Sequence, residues 1–310
     1  MSHDAVNTIF VFFILLLCGF FLSKGGILDE KTSRKLTQLV LLVCIPAMML
    51  SNIVTYFEPE SFRDAGATLF VPIAAGYVCW AVSMGFAKVL GVREQSRGVF
   101  AAACSCSNTV FVGLPVCQAL FGPQASIPAL FYFLANTLMF WTAGVWGIRR
   151  DTGVRAPFFS KQTLKAFLSP SLIAMLVSLA ILLLRIPIPS AVMLAAGKLS
   201  ATGTPLAMMI AGGVIHRGLQ NGIFRRWEVA VAMLGKVVLL PAVTYALTRL
   251  FGLSGITQHV LVAQAAMPLM SQITIVAQSS GADDELASAA SALSMLLLFA
   301  VMPLLSALFG

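Results

Sequence analysis

The chain has 310 residues, of which 59% are hydrophobic and only 10% are charged, a composition that excludes a soluble globular protein. Its formal net charge of +8 would suggest a nucleic-acid partner for a soluble chain. Here the basic residues follow the pattern of membrane topology instead, so no nucleic-acid partner is inferred.

Ten apolar segments follow one another along the chain, with short connections between them. A transmembrane helix needs about 20 apolar residues, and each segment is close to or above that length. We therefore predict an all-α integral membrane protein with ten transmembrane helices and no soluble domain. The predicted segments are residues 5–23, 34–54, 67–89, 98–121, 125–148, 168–186, 189–215, 229–251, 257–279 and 286–308.

Basic residues are concentrated in every second connection. They follow the first, third, fifth and seventh segments, whereas the other connections hold only Arg63, Arg185 and Arg249. Because cytoplasmic loops are enriched in Lys and Arg, both termini are predicted to lie outside and residues 149–167 inside. The basic residues of the predicted inner side are Lys24, Lys31, Arg34, Lys35, Lys88, Arg93, Arg97, Arg149, Arg150, Arg155, Lys161, Lys165, Arg217, Arg225 and Arg226.

The fourth segment carries polar and helix-disrupting residues where an ordinary membrane helix would carry Leu and Val. Pro115 lacks a backbone donor, and its ring crowds the carbonyl of Phe111. Gly113 loosens the backbone, and Asn108 places an amide at mid-span. Unpaired backbone groups are costly in lipid, so such a break is expected only inside protein or beside a wet cavity. We predict a discontinuous helix at a substrate site, with an ordinary proline kink as the alternative.

The ninth segment carries a matching interruption. Pro268 disturbs the hydrogen bond that the carbonyl of Gln264 would accept, and Gln272 adds a second amide beyond the proline. Two broken helices that cross at mid-membrane would bring together helix N-termini, which suit an anion, and helix C-termini, which suit a cation.

Prolines recur in segments that lie five apart. Because five is odd, the second half would cross the membrane in the opposite sense, which is the pattern of an inverted-topology repeat. Residues 1–150 and 151–310 are thus predicted to be two inverted five-helix repeats, although prolines are frequent in membrane helices in any case. The paired prolines are Pro46 and Pro205, Pro72 and Pro241, and Pro115 and Pro268.

Ionisable residues are almost absent from the segment interiors. No carboxylate lies there, which disfavours proton coupling through a buried acid. Lys198 and Lys236 lie deep within segments, and either a role toward an anionic substrate or snorkelling to the interface would explain them. Asn136 either lines the transport path or bonds to another helix. Residues 283–285 form an acidic cluster that is most simply a solvated turn, with gating as the alternative.

The segments offer no evident site for catalysis or for a metal. All six cysteines lie in apolar segments, so no disulfide framework is expected. Cys104 and Cys106 are two positions apart and have no histidine nearby, so a metal site is not expected either. An intramembrane enzyme would need a nucleophile–base pair or metal ligands at depth, and the segments hold Ser and Cys without such partners. We expect a carrier without a cofactor.

Residues 107–115 resemble the broken-helix motif of the auxin efflux carrier family, a group of prokaryotic and plant secondary transporters. The Met267-Pro268 pair, residues 280–283, and Lys236 followed by Pro241 are similar to the same family. The resemblance implies two inverted five-helix repeats, with a scaffold domain from segments 1, 2, 6 and 7 and a transport domain from segments 3–5 and 8–10. It also implies a substrate site where segments 4 and 9 cross, and an elevator-like movement.

The short connection over residues 149–167 favours a bacterial member that carries small organic anions over a plant-type auxin exporter. We predict a secondary active transporter in the bacterial cytoplasmic membrane, with a dicarboxylate such as malonate or malate as its substrate. The alternatives are a sodium-coupled symporter resembling the bile acid family and an exporter of auxin-like or amino-acid-derived compounds. The coupling ion, Na⁺ or H⁺, and a homodimeric assembly stay open.

The predicted substrate site draws on both interrupted segments. The fourth segment would hold a carboxylate through an amide, a hydroxyl and freed backbone groups, and the ninth would complete the site with two amides. Lys236 would add charge complementarity. The residues assigned to the site are Asn108, Thr109, Gly113, Pro115, Lys236, Gln264, Met267, Pro268 and Gln272.

Overall fold

The computed structural model describes residues 3–56, 65–153, 170–220 and 226–309, and every regular element in these ranges is helical. The predicted all-α class is confirmed. Six helical stretches of the described residues are long and apolar enough to cross a membrane, as expected of a multi-pass membrane protein. They are Glu30–Thr55, Gly66–Val89, Pro123–Arg150, Ser190–Gln220, Trp227–Leu250 and Asp284–Phe309.

The helices follow the predicted apolar segments. In the first half of the described chain they are α1 (His3–Lys24), α2 (Glu30–Leu39), α3 (Ile45–Tyr56), α4 (Ala65–Val89), α5 (Arg97–Ser105), α6 (Leu114–Phe121), α7 (Ser126–Met139) and α8 (Val145–Arg150). In the second half they are α9 (Pro170–Leu183), α10 (Ser190–Gln220), α11 (Trp227–Leu234), α12 (Leu240–Leu250), α13 (Gly255–Ala265), α14 (Gln272–Ser280) and α15 (Asp284–Phe309). Four π-helical segments lead into α3, α6, α8 and α12, namely Val40–Cys44, Thr109–Gly113, Phe140–Gly144 and Gly235–Leu239.

Each of the ten predicted segments falls on helical structure, but the number of membrane crossings stays a prediction. The fourth segment is divided between α5 and α6, and the ninth between α13 and α14, so that their pieces are too short to span a membrane singly. The inverted repeat likewise stays a prediction. Several residues of the predicted connections lie outside the described residues, namely Arg63, Arg155, Lys161, Lys165 and Arg225.

Prolines in three segments are preceded by π-helical turns. The N–H groups of Ile45, Leu114 and Leu240 each bond to a carbonyl five residues earlier rather than four. Each of these residues stands immediately before a proline, whose ring would clash with the carbonyl four residues before it, and the wider turn relieves that clash. The chain therefore stays helical through Gly113 and Pro115, and the break predicted there is wrong.

The actual interruption of the fourth segment lies at residues 106–108, between α5 and the π-helical segment Thr109–Gly113. The interruption of the ninth segment lies at residues 266–271, between α13 and α14, and it contains Pro268. The two interruptions thus differ in where their prolines lie. Pro268 is inside the second interruption, whereas Pro115 lies seven residues beyond the end of the first.

Two apolar clusters meet at these interruptions. One contains Val110 and Met267 together with side chains of α3, α10 and α15. The other contains Cys106 and Leu269 together with side chains of α8, α11 and α15. Each interrupted segment passes from one cluster to the other at its break, so the freed backbone lies between two apolar cores. Large exposed apolar side chains elsewhere, such as Phe10, form surfaces suited to lipid.

The helices α1 and α10 approach each other at backbone distance. A Cβ atom at Gly19 would collide with the carbonyl of Met209, and one at Gly212 would collide with the carbonyl of Leu16. Small residues at a membrane helix contact permit this close approach. The helices α3 and α9 also contact each other, and α3 contacts α10. The four helices α1, α3, α9 and α10 therefore form one group. It is called the α1–α10 group after its closest pair and does not include α2 or α4–α8.

Candidate functional site

The two interruptions lie against each other and pair through their backbones. Ser107 and Leu269 form an isolated antiparallel bridge, and the N–H of Asn108 donates to the carbonyl of Pro268 at 2.7 Å. This short pairing, here called the crossing, satisfies part of the backbone that the two broken helices leave unpaired. Pro268 suits its place because it is used there as an acceptor and needs no N–H.

Two side chains from neighbouring helices bond to the remaining backbone of the crossing. Asn136 of α7 accepts from the N–H of Ser107 and donates to the carbonyl of the same residue, both at 2.9 Å. Ser294 of α15 accepts from the N–H of Leu269 at 2.9 Å. Asn136 therefore bonds between helices, which is one of the two uses that the sequence left open. It acts as a positioning residue for the interruption of the fourth segment.

Lys236 contacts the crossing through Ser107 and is fully buried. It stands in the π-helical segment Gly235–Leu239, and its Nζ donates to the hydroxyl of Ser107 and, at 3.0 Å, to the carbonyl of Ala265. Ala265 is the last residue of α13. Among the described residues, the ion pairs are formed by Arg34, Arg97 and Arg226, and no carboxylate pairs with Lys236.

A small cavity of about 30 Å³ lies at the crossing, where Ser107 and Asn108 line it. Two helices begin at this cavity, since its lining includes Thr109 of the π-helical segment and Gln272 of α14. Asn108 caps the first of them by accepting from the N–H of Phe111 at 3.3 Å. None of the lining residues is charged; they are Ile45, Ser107, Asn108, Thr109, Val110, Phe111, Phe133, Met270 and Gln272.

Gln264 is the buried polar residue of the crossing that lacks partners. Its side chain is fully buried, and neither its Oε1 nor its Nε2 has a hydrogen-bond partner among the described residues. The amide lies against Gly113, where a Cβ atom would collide with it. Gly113 thus permits a close contact between the two interrupted segments rather than a break in the helix. Buried amides are normally paired, so an unpaired one at a broken helix points to a ligand or a moving part.

The structure brings together only some of the residues that the sequence assigns to the site. Asn108, Thr109 and Gln272 line the cavity, and Gln264, Gly113 and Pro268 contact the crossing. The other assigned residues, Pro115, Met267 and Lys236, do not line the cavity.

Those others have different surroundings. Pro115 belongs to the helix α6, Met267 is buried in an apolar cluster, and Lys236 donates to the carbonyl of Ala265. Ser107 and Ser294 were not predicted from the sequence as individual site residues. Their signal was a hydroxyl within an apolar segment, which is too common in membrane helices to be specific.

A second polar region connects three helices at their ends. Asp283 accepts two hydrogen bonds from Arg226, both at 2.8 Å, one from the hydroxyl of Ser96, and one from the N–H of Leu286 at 2.9 Å. Burial alone would raise the pKa of Asp283, but the hydrogen bonds from Ser96, Leu286 and Arg226 together hold it below its ordinary value. The prediction of a wholly solvated turn is therefore wrong for Asp283.

Asp151 lies in the same region, and its pKa is shifted in the opposite direction to that of Asp283. Its carboxylate accepts from the N–H of Gly98 at 2.5 Å, in the first turn of α5. Burial raises the pKa of Asp151 to about 6, against the effects of the Gly98 hydrogen bond and the neighbouring Arg150. Asp283 and Asp151 line an open cleft of about 940 Å³, together with Arg93, Glu94, Gln95, Ser96, Arg97, Arg150, Thr152, Gly153, Arg226, Gly281, Ala282 and Glu285.

Known proteins match the chain over most of its length. A family model described as membrane transport protein matches residues 5–306, which confirms the resemblance to the auxin efflux carrier family. An uncharacterized transporter of Methanocaldococcus jannaschii is 25% identical over 273 residues, or 85% of each chain. An uncharacterized transporter of Methanothermobacter thermautotrophicus is 24% identical over 305 residues, or 97% of each chain. The range matched by the family model includes both interruptions.

Proposed function

Because the chain belongs to this membrane transport protein family, we propose that it is a secondary active transporter of small organic anions that bind beside the crossing. A short dicarboxylate of the malonate or malate type is the proposed substrate. The proposed location is the bacterial cytoplasmic membrane, with both termini outside, as the distribution of basic residues suggests.

The observation that carries the proposal is that two helix N-termini meet at one cavity without a charged lining residue. Each N-terminus carries a partial positive charge of about half an elementary charge, together with backbone N–H groups that favour anions. The helices that begin at Thr109 and Gln272 would thus act on the same carboxylate. Asn108 and Gln272 add amide donors without adding a negative charge that would repel the substrate.

The size of the cavity supports an alternating-access mechanism. A volume of about 30 Å³ holds roughly one water molecule, so a dicarboxylate needs a conformation in which the lining helices have separated. Ile45, at the start of α3, lines the cavity together with residues of both interrupted segments. The cavity thus lies between the α1–α10 group and the interrupted helices, and movement of one against the other would open it.

Contacts within two sets of helices support this division, and α10 also packs against α15 of predicted segment 10. The α1–α10 group contains helices of the predicted scaffold segments 1, 2, 6 and 7. The helices α4, α5, α7, α8, α12 and α13 contact one another in a second set from the predicted transport segments. We propose that the second set moves as a unit in an elevator-type shift. We also propose ten membrane crossings in two inverted five-helix repeats, residues 1–150 and 151–310, each of which contributes helices to both sets.

The experiment that tests the proposed function measures thermal stabilisation by carboxylates. A ligand that binds only the folded state raises the melting temperature in a saturable manner. Purified full-length protein should be stabilised by malonate or malate, and the shift should be lost in Asn108→Ala. The matched control is Asn52→Ala, because Asn52 is also buried but lies in α3 and does not line the cavity.

The readout is the shift caused by the anion and not the melting temperature itself. Removal of the helix cap in Asn108→Ala lowers the stability by about 1 kcal/mol in any case. The control variant should keep the full anion shift. If no mono- or dicarboxylate stabilises the wild-type protein, the substrate is not an organic anion of this class.

A further inference from the structure

The buried ammonium of Lys236 has an unusual set of partners for a lysine. Its Nζ donates to the hydroxyl of Ser107 and to the carbonyl of Ala265, and the described residues provide no carboxylate for it. A charged group without a counter-ion is costly inside a membrane protein, so its position must offer compensation from dipoles.

That compensation comes from the end of a helix. Ala265 is the last residue of α13, an eleven-residue helix whose C-terminus carries a partial negative charge. The carbonyl of Ala265 is also the acceptor for the hydroxyl of Ser107, at 3.2 Å. The ammonium, the hydroxyl and the carbonyl therefore form a compact triangle beside the crossing.

The same oxygen atoms are the kind that coordinate a sodium ion. Unwound backbone carbonyls and the C-terminal ends of half-helices coordinate Na⁺ in transporters that have discontinuous helices. A lysine ammonium and a sodium ion each bring one positive charge to such oxygens. The two cations would therefore compete for the same position.

We propose that the ammonium of Lys236 is a tethered cation that takes the place of a coupling sodium ion at the crossing. It links the interruption of the fourth segment, through Ser107, to the end of α13, through Ala265. The crossing is then complete without sodium, and transport is independent of a sodium gradient. This inference concerns the cation and holds whichever substrate the carrier takes.

The test replaces the tethered cation by a free one. Lys236→Ser removes the ammonium and leaves space and an additional hydroxyl at the triangle. In choline chloride we expect this variant to melt at a lower temperature than the wild-type protein. In sodium chloride of equal ionic strength, at a concentration that saturates the site, it should melt about 5 °C or more above its own value in choline chloride. The variant should also bind ²²Na⁺ saturably, and methylammonium, which restores a small cation, should stabilise it in the same way.

Two controls separate this effect from general salt effects. Lys198→Ser changes the other lysine within an apolar segment, but Lys198 is exposed, so sodium should not stabilise that variant relative to choline. Lys236→Met keeps most of the side-chain volume without charge or oxygen, so neither sodium nor methylammonium should restore its stability.

Several results would overturn the inference. One is saturable ²²Na⁺ binding to the wild-type protein, or a higher wild-type melting temperature in sodium than in choline. Another is a Lys236→Ser variant that sodium and methylammonium do not stabilise. If Lys236→Ser cannot be purified in either salt, sodium does not replace the ammonium and the inference fails. A missing carboxylate shift would contradict the proposed function and leave this result unaffected.

Discussion

At the scale of single residues, the crossing contains satisfied and unsatisfied polar side chains. Asn136 and Ser294 bond to the interrupted backbone, whereas the amide of Gln264 is buried without a partner. A buried polar group that stays unpaired costs about 1–3 kcal/mol of stability. Gln264 therefore destabilises this conformation, and a role in ligand binding or in movement would explain its presence.

Gln264→Met should separate stability from binding. Methionine fills a similar volume without a polar group, so the free energy of unfolding should rise by about 1–3 kcal/mol. The stabilisation by carboxylates should be lost in the same variant. Thermal unfolding with and without malonate measures both effects.

The matched control is Gln258→Met. Gln258 lies in the same helix and is also buried, but its Nε2 donates to the hydroxyl of Thr248 at 2.8 Å. Its replacement removes a made hydrogen bond and should lower the stability while leaving the carboxylate shift intact. If both variants lose stability to the same degree, Gln264 has a partner in the native protein.

At the scale of elements, the position of a helix break is decided by the partners available to the freed backbone. Pro115 has no interruption beside it, because a π-helical turn accommodates its ring. Ser107 lies in an interruption that contains no proline. The break is stable there because Asn136 bonds to the backbone of Ser107 and the carbonyl of Ala265 accepts from its hydroxyl.

Variants at these two places should differ in how much stability they lose. Asn136→Leu leaves the N–H and the carbonyl of Ser107 buried without their partner, so the protein should lose about 2–4 kcal/mol of stability. Pro115→Ala should change the stability by less than about 1 kcal/mol, because the turn can convert to an ordinary α-helix. Thermal unfolding of both variants provides the measurement. A larger loss in Pro115→Ala than in Asn136→Leu would return the critical break to the proline.

At the scale of the whole molecule, the polar cleft connects elements that are distant in the sequence. Asp283 ties the start of α15 to Arg226 before α11 and to Ser96 before α5, and Asp151 ties the end of α8 to α5. These contacts lie at the ends of the helices and connect α5, α8, α11 and α15. Because the pKa of Asp151 is raised and that of Asp283 is lowered, the two carboxylates affect stability in different pH ranges.

The stability of the protein should fall as the pH rises from about 5 to 7.5. The folded-state pKa of Asp151 is raised to about 6, so folding favours the protonated form and loses stability as the carboxyl ionises. The pKa of Asp283 is lowered, so its contribution is lost only in more acidic solution, below its ordinary pKa.

Melting temperatures measured over this pH range test the assignment. Asp151→Asn should show a flatter profile than the wild-type protein between pH 5 and 7.5. Asp283→Asn should melt at a lower temperature at neutral pH but keep the wild-type slope in this range. An Asp151→Asn profile parallel to that of the wild type would remove Asp151 as the cause.

The sequence by itself determined the class of the protein, the helical segments and the two segments that are interrupted. These features depend on local properties, namely the length of apolar runs, the missing N–H of proline and the rarity of buried charge. The motif around Asn108 was also enough to indicate the transporter family.

Only the tertiary structure decided where the fourth segment breaks, which carbonyl and hydroxyl receive Lys236, and that Gln264 stays unpaired. The physical reason is that the partners of a freed backbone group are distant in the chain. Asn136 is 29 residues from Ser107, Lys236 is 129 residues away, and the carbonyl of Ala265 is 158 residues away. Local propensity cannot select among such partners, whereas packing of the helices brings one set together and excludes the others.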